Sequence, residues 1–355
     1  MTDPLKQIRD QIDALDEKLV DLLNQRARLA QNIGHVKEGS AYRPEREAQV
    51  LQRVRALSKG PLSADALNRL YVEIMSACRA LESELAVAYL GPAGTFSEEA
   101  VVKHFGKAVT GVPCGSIDET FQSVESGAAA YGVVPVENST EGAVGRTNDL
   151  LFQRQLHICG EVMLPVHQCL MNLSGRSDGF TKIYSHSQSL AQCRGWLNSH
   201  CQKIERVAVV SNAEAARLAS LDESAAAVAG RIAAERYGLR IVAANIEDES
   251  RNITRFVVIG NHDTARTGQD RTSLVMSTRN RPGAMNELLV PLAQHQVSMS
   301  RLESRPARSG LWEYLFFVDI EGHRSDENVA RALAEVREKA TFVKVLGSYP
   351  RAGDH

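Results

Sequence analysis

The sequence has no long apolar run and no excess of basic charge. Nowhere do about 18 apolar residues follow one another, as a membrane span requires, and the amino-terminal residues carry charges where a signal peptide needs an apolar run. The 41 Lys and Arg residues are balanced by 43 Asp and Glu residues, whereas nucleic-acid and membrane-surface proteins usually carry a basic excess. We therefore expect a cytoplasmic protein without a nucleic-acid or membrane partner.

Two kinds of motif are also absent. The six cysteines lie too far apart in the sequence for a CxxC redox or zinc pattern, so they are expected to be free and mostly buried thiols. Neither the dinucleotide pattern GxGxxG nor a P-loop pattern occurs. The sequence therefore predicts neither a metal nor a cofactor.

The chain does contain enough apolar sequence for several cores. Its 355 residues predict two or three domains at roughly 150 residues each. The composition, 43% hydrophobic and 24% charged, is that of soluble globular proteins. The pattern changes near residue 87 and again in the polar stretch 262–271, which predicts domains at 1–87, 88–265 and 266–355.

The first domain is expected to be all-α. Apolar residues recur from Ile8 in alternating steps of four and three, which predicts a helix from Pro4 to about Lys37. A helix of that length would be roughly 50 Å long, so its apolar seam needs partner helices, and an interlocked homodimer is the natural solution. A second helix is predicted from Pro44 to Ser58 and a third over about 63–85.

Arg26 is the one charged residue within the apolar seam of the first helix. Lys37 follows three turns later, so both cations project from nearly the same side and could clamp a dianion. The alternative is that Arg26 extends its charge to solvent at the edge of the seam or pairs with a carboxylate.

Residues 5–86 resemble the all-helical chorismate mutases, in which three helices per subunit form an intertwined dimer. The residues that carry the resemblance are Arg9, Arg26, Lys37, Arg46, Glu47 and Glu82. The resemblance implies that three arginines hold the substrate carboxylates, one of them (Arg9) from the partner subunit, and that Glu47 accepts from the ring hydroxyl. It also implies that Lys37 and Glu82 donate to the ether oxygen, where negative charge grows in the transition state. Glu82 must be protonated to do so. The alternative for Glu82 is an ion pair with a cation such as Lys37 on a solvated helix face.

From residue 87 onward, short apolar runs alternate with helical stretches, which predicts an α/β domain. The glycine-rich turn GPAGTFS at 91–97 is expected between a strand and a helix, where an anion could bind at the helix N-terminus. The alternative, which is more common for such a turn, is that its glycines only allow the chain to turn tightly and bind no ligand.

Four segments together resemble prephenate dehydratase. They are GPAGTFS (91–97), VVPVENSTEGAVGRTNDLL (133–151), IYSHSQSLAQCRGWL (183–197) and NIEDESRNITRFVVIG (245–260). The resemblance implies two α/β lobes with the site in the cleft between them, like the periplasmic binding-protein fold. One lobe is expected to hold 88–165 and the returning 241–261, the other 166–240.

The resemblance implies that the ring of prephenate loses its hydroxyl, and its carboxylate as carbon dioxide, to give phenylpyruvate. The departing hydroxyl needs an acid, for which Thr254 is the leading candidate and Glu137 and His186 are competitors. Arg255 is a candidate carboxylate anchor. A polar cage is completed by Asn138, Ser185 and Gln192.

The third domain is expected to be α+β. Strands and helices are predicted in the order βαββαβ, which is ferredoxin-like. Residues 281–306 and 312–323 resemble the ACT regulatory domain fused to prephenate dehydratases, which implies that phenylalanine binds between subunits. The residues implied are Gly283, Ala284, Met285, Glu303, Ser304 and Arg305.

Together the three resemblances predict a bifunctional chorismate mutase and prephenate dehydratase, a dimer or higher homo-oligomer that phenylalanine inhibits. Its substrates would be chorismate and prephenate. The competing hypothesis is a binding protein that only senses aromatic acids or amino acids. A sensor would not need Thr254, Gln192 and the clamp of Arg26 with Lys37 all intact.

Overall fold

The computed structural model describes residues 3–36, 42–279, 281–306 and 314–353. It divides into two compact units. The first comprises residues 1–85 with 104–110, and the second comprises residues 86–103 with 111–355. None of the described helices has both the length and the apolar character needed to cross a bilayer.

The first unit is helical, as predicted. Its helices are α1 (Pro4–Val36), α2 (Pro44–Leu57) and α3 (Ala64–Ala80). Ser63 caps α3 by accepting from the backbone N–H of Ala66 at 3.2 Å. The third helix ends earlier than predicted because the chain is extended by residue 85, where the Leu85 carbonyl accepts from the Thr110 N–H at 3.0 Å.

The apolar seam of α1 is exposed in the part of the chain that the structure describes. Its large apolar side chains are 50–63% exposed, among them Ile8, Ile12, Leu15, Leu19, Leu22, Leu29 and Ile33. A continuous apolar stripe of this length on the surface is the signature of an interaction face.

The second unit contains three sheets. Residues 86–165 form β1 (Ala86–Leu90), α4 (Phe96–Phe105), β2 (Thr110–Cys114), α5 (Ile117–Glu125), β3 (Tyr131–Asn138), β4 (Gly142–Ala143), α6 (Gly145–Gln153) and β5 (His157–Pro165). Residues 169–260 form β6 (Cys169–Asn172), β7 (Lys182–His186), α7 (Ser187–Gln192), α8 (Arg194–His200), β8 (Glu205–Val209), α9 (Asn212–Ala219), β9 (Ala225–Ala229), α10 (Arg231–Tyr237), β10 (Arg240–Ala243) and β11 (Ile253–Gly260). Residues 270–350 form β12 (Asp270–Ser277), α11 (Ala284–Gln294), β13 (Met299–Pro306), β14 (Tyr314–Glu321), α12 (Glu327–Lys339) and β15 (Phe342–Pro350).

The predicted two-lobed α/β architecture is confirmed. The first lobe has the strand order β2-β1-β3-β11-β5, with β4 beside β3, and the second lobe has the order β10-β6-β9-β7-β8. The predicted point of return was wrong by one strand: β10 pairs with β6, so residues 240–243 still belong to the second lobe. Only β11 returns to the first sheet, where it lies between β3 and β5.

The third sheet has the ferredoxin-like order β13-β14-β12-β15. One of its faces packs on α11 and α12 through a cluster that includes Leu274, Met276 and Val318. Its other face joins the core of the first lobe through Val275 and Phe317, among others. We call these the helix face and the dehydratase face. Side chains alternate between them because successive residues of a strand point to opposite sides.

Candidate active sites

In the first unit, the charges of Arg26 and Glu82 both act on the carboxylate of Glu47. Burial raises the pKa of Glu47, the charges of Arg79 and Arg26 oppose this increase, and the charge of Glu82 adds to it. Arg9 and Arg46 are exposed, and Lys37 lies outside the described residues. The structure therefore groups three of the six predicted residues within one chain.

Arg79 of α3 is a member of this site that sequence reasoning missed. Its guanidinium pairs with the Glu47 carboxylate and donates to the carbonyl oxygen of Phe105 at 2.6 Å. The side chain is only 4% exposed. The partner of Arg79 is 32 residues away in the sequence, so no local pattern marks this arginine.

In the first lobe, Thr254 and Asn138 lie directly opposite each other on β11 and β3. The Asn138 amide donates to the Thr254 Oγ1 and to the Asn252 Oδ1, both at 2.8 Å. Its carbonyl oxygen accepts from the backbone N–H groups of Thr140 at 3.0 Å and of Glu141 at 3.2 Å. Because the Thr254 oxygen accepts from Asn138, its own hydrogen points elsewhere and can be donated.

Asn252 is a further residue that sequence reasoning did not select. It is buried, and its side-chain oxygen holds the second hydrogen of the Asn138 amide. Its position two residues before Thr254 on the approach to β11 was the available signal.

Arg255 was wrongly predicted to anchor a substrate carboxylate. It follows Thr254 on a strand and so points to the opposite face, where it is 6% exposed. Its guanidinium binds Glu161 at 2.9 Å, the carboxylate of Asp319, and the Tyr349 hydroxyl at 2.9 Å. Burial alone would raise the pKa of Asp319, but the charge of Arg255 and the hydrogen bonds from Ser273 and Arg255 together outweigh burial, and the pKa is lowered.

Glu137 is likewise on the wrong face for the role predicted for it. It lies opposite Arg255 in the register and therefore on the same side of the sheet, away from Thr254. Its carboxylate lies 3.1 Å from the Arg301 guanidinium of β13. The structure does not bring Glu137 to the pair of Thr254 and Asn138.

In the second lobe, the predicted cage residue Ser185 is hydrogen-bonded within the protein. It is fully buried, and its hydroxyl donates to the Val228 carbonyl at 2.7 Å. The neighbouring side chain of Asn212 accepts from the His186 N–H at 3.1 Å and donates to Ser189 at 2.9 Å. Asn212, which sequence reasoning missed, thus fixes the start of α7.

His186 and Gln192 stand at the two ends of α7 and are partly exposed. The Gln192 carbonyl accepts from the Asp248 N–H at 2.7 Å, which ties α7 to the segment leading into β11. Their meeting with Thr254 in the cleft stays a prediction.

In the glycine-rich turn at 91–97, a carboxylate of the protein binds the backbone where the sequence predicts an external anion. Glu98 accepts from the Gly94 N–H at 2.5 Å and pairs with Arg236 of α10 in the second lobe. Turn chemistry and contact between the lobes therefore account for this motif.

The residues predicted to bind phenylalanine lie on both faces of the third sheet. Gly283 adopts a φ of +79° at the start of α11, and Ser304 lies opposite Phe316 on the helix face. Glu303 lies opposite Phe317 on the dehydratase face and accepts from Asn148 of α6 at 2.9 Å. Arg305 is on the same face, 3.4 Å from Asp149.

Ala284 and Met285 belong to the interior of the helix face. Ala284 is buried, and Met285 and Phe316 both pack against the buried cluster of this face. The structure therefore brings Gly283, Met285 and Ser304 to the helix face and separates Glu303 and Arg305 from them.

Family models match all three domains. Residues 8–83 match chorismate mutase type II, residues 87–264 match prephenate dehydratase and residues 272–338 match the ACT domain.

A bifunctional chorismate mutase/prephenate dehydratase of Neisseria gonorrhoeae is 52% identical over 97% of this chain and 96% of its own length. The solved prephenate dehydratase of Arthrobacter aurescens in complex with L-Phe is 34% identical with a TM-score of 0.69, covering 76% of this chain and 90% of that one. GqqA, described as a novel type of quorum quenching acylase, is 30% identical with a TM-score of 0.69, covering 75% of this chain and 98% of that one. With three consecutive domain matches and a full-length relative at this identity, the chain belongs to the family of bifunctional chorismate mutase/prephenate dehydratases.

Proposed function

We propose that this chain rearranges chorismate to prephenate in its first domain, converts prephenate to phenylpyruvate in its second, and is inhibited by phenylalanine through its third. The observation that carries the proposal is the hydrogen bond from Asn138 to Thr254, because it leaves a neutral hydroxyl oriented as a donor. A cytoplasmic location is part of this proposal.

The mutase reaction is a pericyclic step that needs neither a nucleophile nor a cofactor, so the site must act by orientation and charge. Arg26 and Arg46 would hold the carboxylates of the dianion. Glu47 would accept from the ring hydroxyl, with Arg79 holding its carboxylate in place. Lys37 and a protonated Glu82 would donate to the ether oxygen as its bond to carbon breaks.

The mutase site is proposed to be completed by a second copy of the chain. The exposed seam of α1 supports this, since pairing with another α1 would cover it. Arg9 lies on that helix and would reach the site of the partner. The assembly is accordingly a homodimer or a larger homo-oligomer built on that dimer.

In the dehydratase reaction, the bond between the ring and the carboxylate carbon breaks, and its electron pair forms the new double bond of the aromatic ring. The hydroxyl leaves from the opposite end of the ring and takes up a proton, so the products are phenylpyruvate, carbon dioxide and water. Thr254 would donate a hydrogen bond to the leaving oxygen, and His186 is the proposed source of the proton. Gln192 would complete the polar cage from the second lobe.

Phenylalanine is proposed to bind on the helix face of the third sheet, at the turn of Gly283 and beside Ser304. Leu302 is 44% exposed and Tyr314 is 38% exposed, and both lie on this face. They provide apolar surface for an aromatic side chain next to backbone groups that can bind its polar end.

One coupled assay tests the whole proposal. Chorismate is added to the full chain, and the formation of prephenate and then phenylpyruvate is followed with and without phenylalanine. Both products and inhibition are expected. If the purified chain binds these compounds but turns neither over, it is a sensor and the proposal is wrong.

A further inference from the structure

The Asn138–Thr254 pair has charged residues directly behind it. Glu137 precedes Asn138 on β3, and Arg255 follows Thr254 on β11. Glu137 and Arg255 lie opposite each other on the side of the first-lobe sheet that meets the third sheet. Successive residues of a strand face opposite sides but share one backbone. A displacement of Glu137 or Arg255 therefore also displaces the neighbouring residue, Asn138 or Thr254.

Both of these charged residues are held by the third sheet. Arg301 of β13 places its Nε 3.1 Å from the Glu137 carboxylate. Arg255 is bound by Asp319 of β14 and by the hydroxyl of Tyr349 of β15 at 2.9 Å. We call these ion pairs and hydrogen bonds of Glu137 and Arg255 the reverse-face contact.

Arg301 is the member that can respond to an effector. Its guanidinium also pairs with Glu303, so one side chain that is only 13% exposed bridges two carboxylates. Glu303 in turn accepts from Asn148 at 2.9 Å. A displacement of β13 therefore changes the hold on Glu137.

The opposite face of β13 is where phenylalanine is proposed to bind. Ser304 and the exposed Leu302 point to the helix face, whereas Arg301, Glu303 and Arg305 point to the dehydratase face. One strand thus presents the effector surface on one side and the reverse-face contact on the other. An effector that shifts or tilts the strand moves both sides together.

We propose that Arg301 is a positioning residue for the dehydratase. Through Glu137 it sets where Asn138, and hence the hydroxyl of Thr254, is held, and phenylalanine inhibits by moving this contact. The proposal rests on the proposed function, because it takes Thr254 as the catalytic donor and phenylalanine as the effector. It also assigns Glu303 and Arg305 to transmission rather than to ligand binding.

The test uses the full chain and four variants: Arg301→Gln, Glu137→Gln, the double variant, and Arg331→Gln as a control. Arg331 is an exposed arginine of the same domain, paired with Glu327 within α12, so its loss removes a charge without touching the contact. The dehydratase kcat and the KM for prephenate are measured with and without phenylalanine. Phenylalanine binding is measured by calorimetry.

For Arg301→Gln we expect a kcat about tenfold lower, a KM for prephenate within about threefold of the parent, and phenylalanine affinity within about threefold. The ratio of the dehydratase rate without phenylalanine to the rate with it should fall by about fivefold or more, which is the lower end of usual allosteric coupling. Glu137→Gln should show the same changes in kcat and in inhibition. The double variant should lose no more kcat and no more inhibition than either single variant. The control should match the parent, and the mutase rate should be the same in all.

Three results would overturn the proposal: full inhibition retained in Arg301→Gln, inhibition and phenylalanine binding lost together, or fully additive effects in the double variant. If Arg301→Gln fails to fold, the more exposed Glu137→Gln decides the question by the same measurements. If the proposed function itself is wrong, the results differ from these: phenylalanine does not inhibit the parent, or Thr254→Ala keeps its dehydratase activity.

Discussion

The hydroxyl of Tyr237 donates to the carbonyl oxygen of Ala93 at 2.9 Å and thereby joins the two lobes of the dehydratase domain. The next residue, Gly94, has a φ of +89°, and a Cβ there would come within 2.9 Å of the Tyr237 ring. Backbone conformation and space therefore both require glycine at this position.

Gly94→Ala should accordingly impair the dehydratase by forcing the two lobes apart. Gly127→Ala is a matched control, because Gly127 also has a positive φ, +77°, but nothing within 4 Å of a Cβ. The control measures the cost of backbone strain alone, about 1 kcal/mol. We expect prephenate turnover to fall by about tenfold more in Gly94→Ala than in Gly127→Ala. Equal losses would show that the contact with Tyr237 has no part in catalysis.

Arg26→Ala should abolish most of the mutase activity and leave the dehydratase intact. Arg26 is proposed to bind a carboxylate of a dianion, so a loss of about a hundredfold or more in mutase kcat/KM is expected, the scale of removing one transition-state contact. Dehydration of supplied prephenate by the same preparation is the internal control. Parallel loss of both activities would indicate misfolding and would remove the support for this assignment.

Thr254→Val should have the reverse effect. Valine keeps the shape of threonine but has no hydroxyl, so the Asn138 amide loses an acceptor and the leaving group loses its proposed donor. We expect dehydratase kcat to fall about a hundredfold while the mutase rate is unchanged. Asn138→Ala should give a loss of the same order, measured in the same assay, and full activity in either variant would contradict the proposed site.

The first unit should lose stability as the pH falls from about 6.5 towards 4. Burial and the nearby charge of Arg79 lower the pKa of His104 from 6.5 to about 4. Between these values the unfolded chain binds a proton that the folded chain does not, so folding is favoured above 6.5 and progressively less so below it. The loss amounts to at most about 3 kcal/mol at 1.36 kcal/mol per pKa unit.

Denaturant unfolding at pH 7.5 and at pH 4.5 measures this difference. In His104→Gln the fall in stability should be smaller, although this variant lacks the 2.6 Å hydrogen bond between the Tyr42 hydroxyl and the His104 Nε2 and is less stable at both pH values. An unchanged pH dependence in that variant would rule out His104 as its cause.

The architecture could be predicted from the sequence because local patterns determine it. Pro44 and Ser63 mark helix starts by chemistry that acts within one turn, and the βαββαβ order of the third domain follows from short apolar runs. The point at which the chain returns from the second lobe to the first was harder to predict. The place of residues 241–243 in the second lobe depends on the pairing of β10 with β6, which no local pattern encodes.

Part of the site was predictable in principle and was still missed. Thr254 and Arg255 are consecutive on a strand, and so are Glu137 and Asn138, so only one of each pair can face a given cleft. The same alternation separates Glu303 from Ser304. The pairing of Arg79 with Glu47 is different, because it depends on how two helices pack and becomes visible only in three dimensions.

The open seam of α1 has a consequence for assembly kinetics. In the proposed homodimer, α1 buries its apolar side on a second chain, so the last step of folding is bimolecular, and its rate and its equilibrium depend on protein concentration. On serial dilution the helical unit should dissociate and lose activity per chain, at a concentration set by the dimer affinity. The sheets of the second unit have their cores within one chain, so refolding from denaturant should separate a concentration-independent phase from a later second-order one.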